Sequence, residues 1–207
     1  MIDLYTWSTP NGRKVSIMLE ECALPYRVHR INIGTNSEQF APEYLKINPN
    51  GKIPSIVDPD GPDGRPIAMM ESGAILIYLA EKTGKFFPQK SRYQVLQWLM
   101  FQMASVGPMF GQAHHFMRAK KDEVPYGSER YGSEAKRLYG VMDRQLEKNE
   151  HIAGAEYSIA DMAIYPWVAR HEWHRVELGA FPAVKRWYEA VGARPAVARG
   201  MGVPPAN

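Results

Sequence analysis

Strand-like alternation is confined to the first 84 residues of this 207-residue chain, and the long elements after it have helical spacing. Ile2–Thr6 alternates apolar and polar residues and predicts a short strand. Ser8-Thr9-Pro10-Asn11-Gly12 is turn and cap chemistry, and Arg13–Cys22 then places Val15, Met18, Leu19 and Cys22 on one helical face. Tyr26–Ile33 alternates again, Glu38–Ile47 reads as a short irregular helical segment, and Ser55–Asp58 as a strand. The dense turn signal Pro59-Asp60-Gly61-Pro62-Asp63-Gly64 leads into Pro66–Met70, so these two strands form a hairpin. Glu71–Thr83 is an amphipathic helix stopped by Gly84. Beyond it, Arg92 to about Ala119, Gly127 to about Lys148, Ser158 to about Arg170 and Ala183–Gly192 are helical. The Pro/Ala/Gly tail after Arg194 is expected to be loose. An order β-α-β-α-β-β-α followed by helices alone predicts a small α/β domain joined to an all-α domain.

Composition narrows the function classes. Hydrophobic residues make up 45% of the chain, enough for a real core. Net charge is only +3 with no polybasic run, which argues against nucleic-acid binding. No apolar run approaches the ~18 residues a membrane span needs. The start, Met1-Ile2-Asp3-Leu4-Tyr5, begins as a strand and not as a signal peptide. A single cysteine allows no internal disulfide and suits a reducing cytoplasm.

The most specific stretch is Asn50-Gly51-Lys52-Ile53-Pro54-Ser55-Ile56-Val57-Asp58 with Glu71-Ser72-Gly73-Ala74-Ile75 a hairpin later. Proline cannot donate to a ladder and belongs at a strand's first position or edge. If Ile53–Pro54 is cis, the N–H and C=O of Ile53 turn outward, and an extended peptide can pair with them as an added strand. A helix N-terminus starting at Ser72, with Glu71 beside it, offers a site for that peptide's carboxylate and amine.

These segments, together with Thr9-Pro10-Asn11-Gly12, Gly111-Gln112-Ala113-His114-His115-Phe116 and Ser158-Ile159-Ala160-Asp161, resemble the glutathione transferase superfamily, most closely its bacterial nu-class, or Ure2-like, branch. The resemblance covers nearly the whole chain. It implies a thioredoxin-like domain over residues 1–84, a linker at 85–90 and a helical-bundle domain over 91–207. It also implies a cis Ile53–Pro54 bond, with the main chain of Ile53 pairing the cysteinyl unit of glutathione. Ser72 and the helix amides would receive the γ-glutamyl carboxylate, and Glu71 its ammonium. Lys52 would neutralise the glycyl carboxylate, with Gln39 overhanging that end. Arg130 would reach across a homodimer to a glutathione carboxylate.

Thr9 and Asn11 read first as plain capping residues; the resemblance makes them the catalytic pair that hydrogen-bonds the glutathione sulfur. A thiol with pKa near 8.5 is only ~3% ionised at pH 7, and lowering it by about two units takes roughly 2.7 kcal/mol. One or two oriented donors plus a helix terminus supply that amount. Tyr5 and Ser8 are rivals: Tyr5 sits mid-strand and reads as packed, and Ser8 matches the serine of theta-like classes. Cys22 lies on the apolar helix face, where packing is the ordinary role. His114 and His115 are adjacent on a helix, so they are not expected to face one site, and no ligand spacing completes a metal set. They read as packing residues or as a wall of a second-substrate cleft. Ser158 and Asp161 form a capping box with Asp in the third position, and the Trp98, Leu99, Phe101, Gln102 stripe reads as core.

The expected protein is a cytoplasmic homodimer using glutathione as co-substrate and no metal. Its activity is reduction of small disulfides without a protein cysteine. Conjugation of glutathione to an electrophile, or a non-catalytic glutathione-binding regulatory module, are the alternatives.

Overall fold

Strand β1 spans Ile2–Thr6, with Ile2, Leu4 and Thr6 buried and the residues between them half-buried. Helix α1 runs Pro10–Cys22 in the computed structural model, which describes residues 1–205. It starts a turn earlier than its apolar spacing suggests. Thr9 caps it, accepting from the Gly12 amide at 3.2 Å, and Pro10 takes the first helical position, where no N–H is needed. Gly12 permits this tight entry, because a Cβ there would lie 2.3 Å from Thr6 Oγ1 and 2.6 Å from the Trp7 carbonyl.

Strand β2 (Tyr26–Arg30) ends three residues before the alternation does. The reason is local: the Asn32 amide donates to the Glu38 carboxylate at 2.7 Å and its carbonyl accepts from the Glu38 amide at 3.0 Å, so the chain turns away from the sheet. A 3₁₀ turn (Glu38–Phe40) and α2 (Pro42–Ile47) form the irregular helical segment. Strand β3 (Ser55–Asp58), a 3₁₀ turn (Pro62–Gly64) and β4 (Ile67–Met70) make the hairpin, and α3 runs Ser72–Thr83 to an αL stop at Gly84. The sheet order is β2-β1-β3-β4, with β1 and β2 parallel and the other pairs antiparallel.

The chain divides into two compact units, one built from Met1–Lys85 plus the segment from Arg194, the other from Phe86–Ala193. The second is helical: α4 (Arg92–Phe101), α5 (Gly107–His114), α6 (Pro125–Leu146), α7 (Ile159–Val168) and α8 (Pro182–Gly192). The fold is thus a thioredoxin-like α/β unit followed by an all-helical one. Helix α4 continues into α5 through a π turn at Gln102–Val106, and α5 into a second π turn at His115–Ala119. Pro108 has no N–H to give the preceding turn and its ring crowds that turn's carbonyl, which the wider π spacing relieves.

Every residue of α7 is buried, so the helix is apolar all round instead of amphipathic. Its first turn is fixed by the expected capping box. Asp161, fully buried, accepts at Oδ1 from the Ile152 amide (2.9 Å) and Trp187 Nε1 (2.8 Å), and at Oδ2 from the Ser158 amide (3.0 Å) and hydroxyl (3.1 Å). Leu99 and Gln102 are buried as expected, while Trp98 and Phe101 are half-buried and stack edge to face.

From Pro195 to Met201 the tail is helical and not loose. Helix α9 (Pro195–Met201) packs on α1, and Ser16 Oγ donates to the Gly200 carbonyl at 2.7 Å. Gly200 has no room for a Cβ, which would sit 2.5 Å from the Ile17 Cα. Arg194 and Arg199 close the contact by bonding Glu21 and Glu20 at 2.6 Å. Among the described residues, no helix is long and apolar enough to cross a membrane.

Candidate functional site

Sheet register gathers most of the expected site at one edge. Tyr5 pairs with Ser55 and Ser55 with Met70, so the end of β1, the start of β3 and the end of β4 lie side by side. The segments that follow or precede them come to that edge too: Thr9 and Asn11 after β1, Lys52 and Ile53 before β3, Glu71 and Ser72 after β4. The Ile53–Pro54 bond is cis. Ile53 is half-buried and lies outside both ladders of β3, which begin at Ser55, and no turn, loop or cap hydrogen bond among the described residues engages its main chain. That leaves a main-chain donor and acceptor for an extended peptide.

Two residues that sequence reasoning passed over, Asn48 and Tyr44, hold this loop. Asn48 Nδ2 donates to the Lys52 carbonyl at 2.7 Å and to Ser55 Oγ at 3.0 Å, and Tyr44 Oη bonds the same two groups at 2.5 and 3.0 Å. Both carriers are buried, as is Ser55. Lys52 itself is exposed. Gln39 lies beside it, its carbonyl oxygen 3.4 Å from where a Gly51 Cβ would stand, with the buried side-chain Oε1 lacking a protein partner.

At the N-terminus of α1 no acidic residue occupies the first turn, so nothing opposes the positive end of the helix dipole. Because Thr9 Oγ1 accepts from the Gly12 amide, its own O–H is available to a second acceptor such as a sulfur. Asn11 is half-buried at the second helical position. Ser8 is exposed and accepts from Arg13 Nη2 at 3.1 Å. Tyr5 is packed, stacked on His29 at 4.5 Å between ring centres, and burial raises its pKa. Cys22 is buried with its thiol 3.5 Å from Thr83 Oγ1, and burial pushes its pKa up, away from thiolate reactivity.

Helix α3 starts at Ser72, as expected, with Glu71 in the N-cap position; Glu71 makes no side-chain cap bond and holds φ 67°, a left-handed position rarely adopted by such a residue. That backbone turn leaves Glu71 exposed and sends Ser72 inward, where its hydroxyl oxygen accepts from Lys14 Nζ at 3.3 Å. Lys14 is 1% exposed, and burial lowers its pKa to about 7, opposed by the charge of Glu71. Its one sequence signal was a lone cation on the stripe shared with Ile17 and Met18.

Arg130 belongs to the other unit. It is exposed on α6 and lines a cavity of about 540 Å³ with Met109, Tyr131, Ser133, Glu134 and Arg137. Arg137 is committed to Glu134 through two bonds of 2.7 and 2.8 Å, whereas no hydrogen bond or ion pair holds Arg130 among the described residues. His114 and His115 do share a wall, contrary to the helical expectation. Both line a second cavity of about 460 Å³ with Gly111, Arg118, Ala119 and Trp173. The π turn that begins at His115 changes the angular step between neighbouring turns. Burial lowers the pKa of His114 to about 3, helped by Arg170 and Arg118, so it is a neutral ring at physiological pH. No group of three or more metal-ligating side chains occurs among the described residues.

The N-terminal domain model of glutathione S-transferases matches residues 9–82, and the C-terminal domain model of the same family residues 102–195. The disulfide-bond oxidoreductase YfcG of Escherichia coli is 47% identical over 204 residues, covering 97% of this chain and 94% of its own length. A second E. coli disulfide-bond oxidoreductase, YghU, is 39% identical over 96% of this chain and 73% of itself. Among solved structures, a glutathione transferase from Burkholderia graminis with two glutathione molecules bound per subunit superposes with a TM-score of 0.93 at 47% identity, covering all of this chain and 89% of its own. One from Pseudomonas putida, with one glutathione disulfide bound per subunit, also gives 0.93, at 46% identity over 98% of this chain and 91% of that one.

Proposed function

The chain belongs to the glutathione S-transferase family, and from that premise we propose that it is a glutathione-dependent disulfide-bond oxidoreductase. Glutathione is its co-substrate and a small disulfide its second substrate. The observation that carries the reading is the sheet edge where Thr9 and Asn11, Ile53, and Glu71 and Ser72 converge, with no cysteine between β1 and α1 and the single thiol of the protein buried.

Glutathione lies along the main chain of Ile53, its γ-glutamyl carboxylate at Ser72 and its ammonium at Glu71. Lys52 and Gln39 meet the glycyl end. The sulfur rests over the first turn of α1, where Thr9, Asn11 and the helix dipole stabilise it as thiolate. That thiolate attacks one sulfur of the substrate disulfide; the S–S bond breaks, a mixed disulfide with glutathione forms, and the other half leaves as a thiolate and takes a proton. A second glutathione thiolate attacks the glutathione sulfur of the mixed species and releases glutathione disulfide and the second thiol. The disulfide gains two electrons and two glutathiones lose one each, so no protein cysteine enters the balance. The working state is a homodimer in the reducing cytoplasm, with Arg130 of one subunit serving the glutathione carboxylate of the other.

Incubation with glutathione, hydroxyethyl disulfide, glutathione reductase and NADPH tests the reading. NADPH oxidation well above the uncatalysed rate is expected. Background oxidation together with brisk conjugation of an aryl halide would instead make the protein a conjugating transferase, and glutathione binding with neither activity a regulatory module.

A further inference from the structure

An arginine near the start of a helix opposes the positive end of the helix dipole, and a half-buried one also gives up hydration. Arg13 of α1 does both, one turn beyond Thr9 and two residues beyond Asn11. Its Nη2 donates to the hydroxyl oxygen of exposed Ser8 at 3.1 Å, and its Nε is buried with no acceptor among the described residues. Burial lowers its pKa, yet a guanidinium stays charged. The two carboxylates of α1, Glu20 and Glu21, are bonded to Arg199 and Arg194, and no ion pair of Arg13 occurs among the described residues.

A cation held against both costs is accounted for by an anion that arrives with the substrate. We propose that Arg13 makes the protein selective for disulfides that carry a carboxylate close to the S–S bond. This rests on the reading of the head of α1, with Thr9 and Asn11, as the seat of the glutathione sulfur. The Nη end of Arg13 lies on Ser8, the residue before Thr9, so it borders the space that a disulfide in line with that sulfur occupies. The planar fork of a guanidinium matches the two oxygens of a carboxylate better than a single sulfur.

Dithiodiglycolate, an acetate on each sulfur, is a substrate of this class. The glutathione thiolate attacks one of its sulfurs, the S–S bond breaks, and thioglycolate leaves as a thiolate that takes a proton. A second glutathione thiolate attacks the glutathione sulfur of the mixed disulfide and releases glutathione disulfide and the second thioglycolate. The substrate gains two electrons and two glutathiones lose one each. In water an anionic thiolate and an anionic disulfide repel each other, and the guanidinium offsets that repulsion where the two sulfurs meet.

Dithiodiglycolate, hydroxyethyl disulfide and cystamine differ only in the end group of each arm, which is anionic, neutral or cationic. Their kcat/KM values with the full chain, under glutathione, glutathione reductase and NADPH, are each divided by the uncatalysed rate constant. The wild type is expected to favour dithiodiglycolate over hydroxyethyl disulfide by roughly tenfold, and to disfavour cystamine. Arg13→Gln should erase both preferences, and Arg13→Lys should keep part of the first. Ratios between substrates are unaffected by any loss of folded protein. Raising the ionic strength of the wild-type assay from about 20 to about 500 mM should shrink the first ratio, a check that needs no variant. Wild-type ratios near one, or preferences that survive in Arg13→Gln, overturn the role of Arg13. An equal loss on all three substrates overturns it too, and makes the arginine a counter-charge to the thiolate instead. Turnover of none of the three by the wild type removes the disulfide-reductase reading itself, and this inference with it.

Discussion

Asp161→Ala is expected to cost about 3–5 kcal/mol and to lower the melting temperature by on the order of 10 °C. The carboxylate is fully buried and accepts four hydrogen bonds, from Ile152, Trp187 and twice from Ser158. Alanine leaves the Ile152 amide and the Trp187 indole N–H in the core without an acceptor, each worth about 1–3 kcal/mol, and also removes half of the capping box of α7. Asp161→Asn keeps one carbonyl oxygen for two of these donors and should lose less. Thermal and urea unfolding of both variants check the order. A drop below about 1 kcal/mol for the alanine variant would show that other groups satisfy those donors.

Asn11→Ala is expected to reduce disulfide turnover by about 10- to 100-fold while changing stability by less than about 1 kcal/mol. The separation follows from position. The cap of α1 is Thr9, whereas Asn11 occupies the second helical position, where alanine is a better helix former. The loss should also move the acidic limb of the pH–rate profile upward, because one fewer donor faces the glutathione thiolate. Thr9→Ala cannot make this distinction: it removes the Gly12 bond and about 1 kcal/mol of capping together with any donor to sulfur. Parallel losses of melting temperature and activity in Asn11→Ala would reduce that residue to a structural part of the helix.

The fold was legible where local chemistry decides it. Alternation marked β1 with its observed ends, Ser55–Asp58 marked β3, Gly84 stopped α3, and Ser158 with Asp161 announced the start of α7. Tertiary contact was the part that spacing could not carry. Helix α9 exists because Gly200 lets its backbone settle on Ile17, a relation between residues far apart in sequence. The same limit applies to the site. Ile53, Glu71 and Ser72 could be picked out from a proline-led strand and the head of a helix, but the inward turn of Ser72 follows from the left-handed Glu71, which no propensity announces. Lys14 looks like any solvated helix charge until the stripe it shares with Ile17 and Met18 is seen to be covered. Asn48 and Tyr44 gave no signal, because their partners are main-chain and hydroxyl oxygens brought close only by the folded loop.

The central claim is that glutathione supplies both sulfurs and the protein none. Its most direct test is the rate of hydroxyethyl disulfide reduction by Cys22→Ala, a cysteine-free form of this chain, measured with glutathione, glutathione reductase and NADPH. Cys22 is buried and its thiol is held above its ordinary pKa, so the variant should turn over within about twofold of the wild type once any loss of folded protein is corrected. A folded Cys22→Ala protein whose activity falls to the uncatalysed rate would contradict the account.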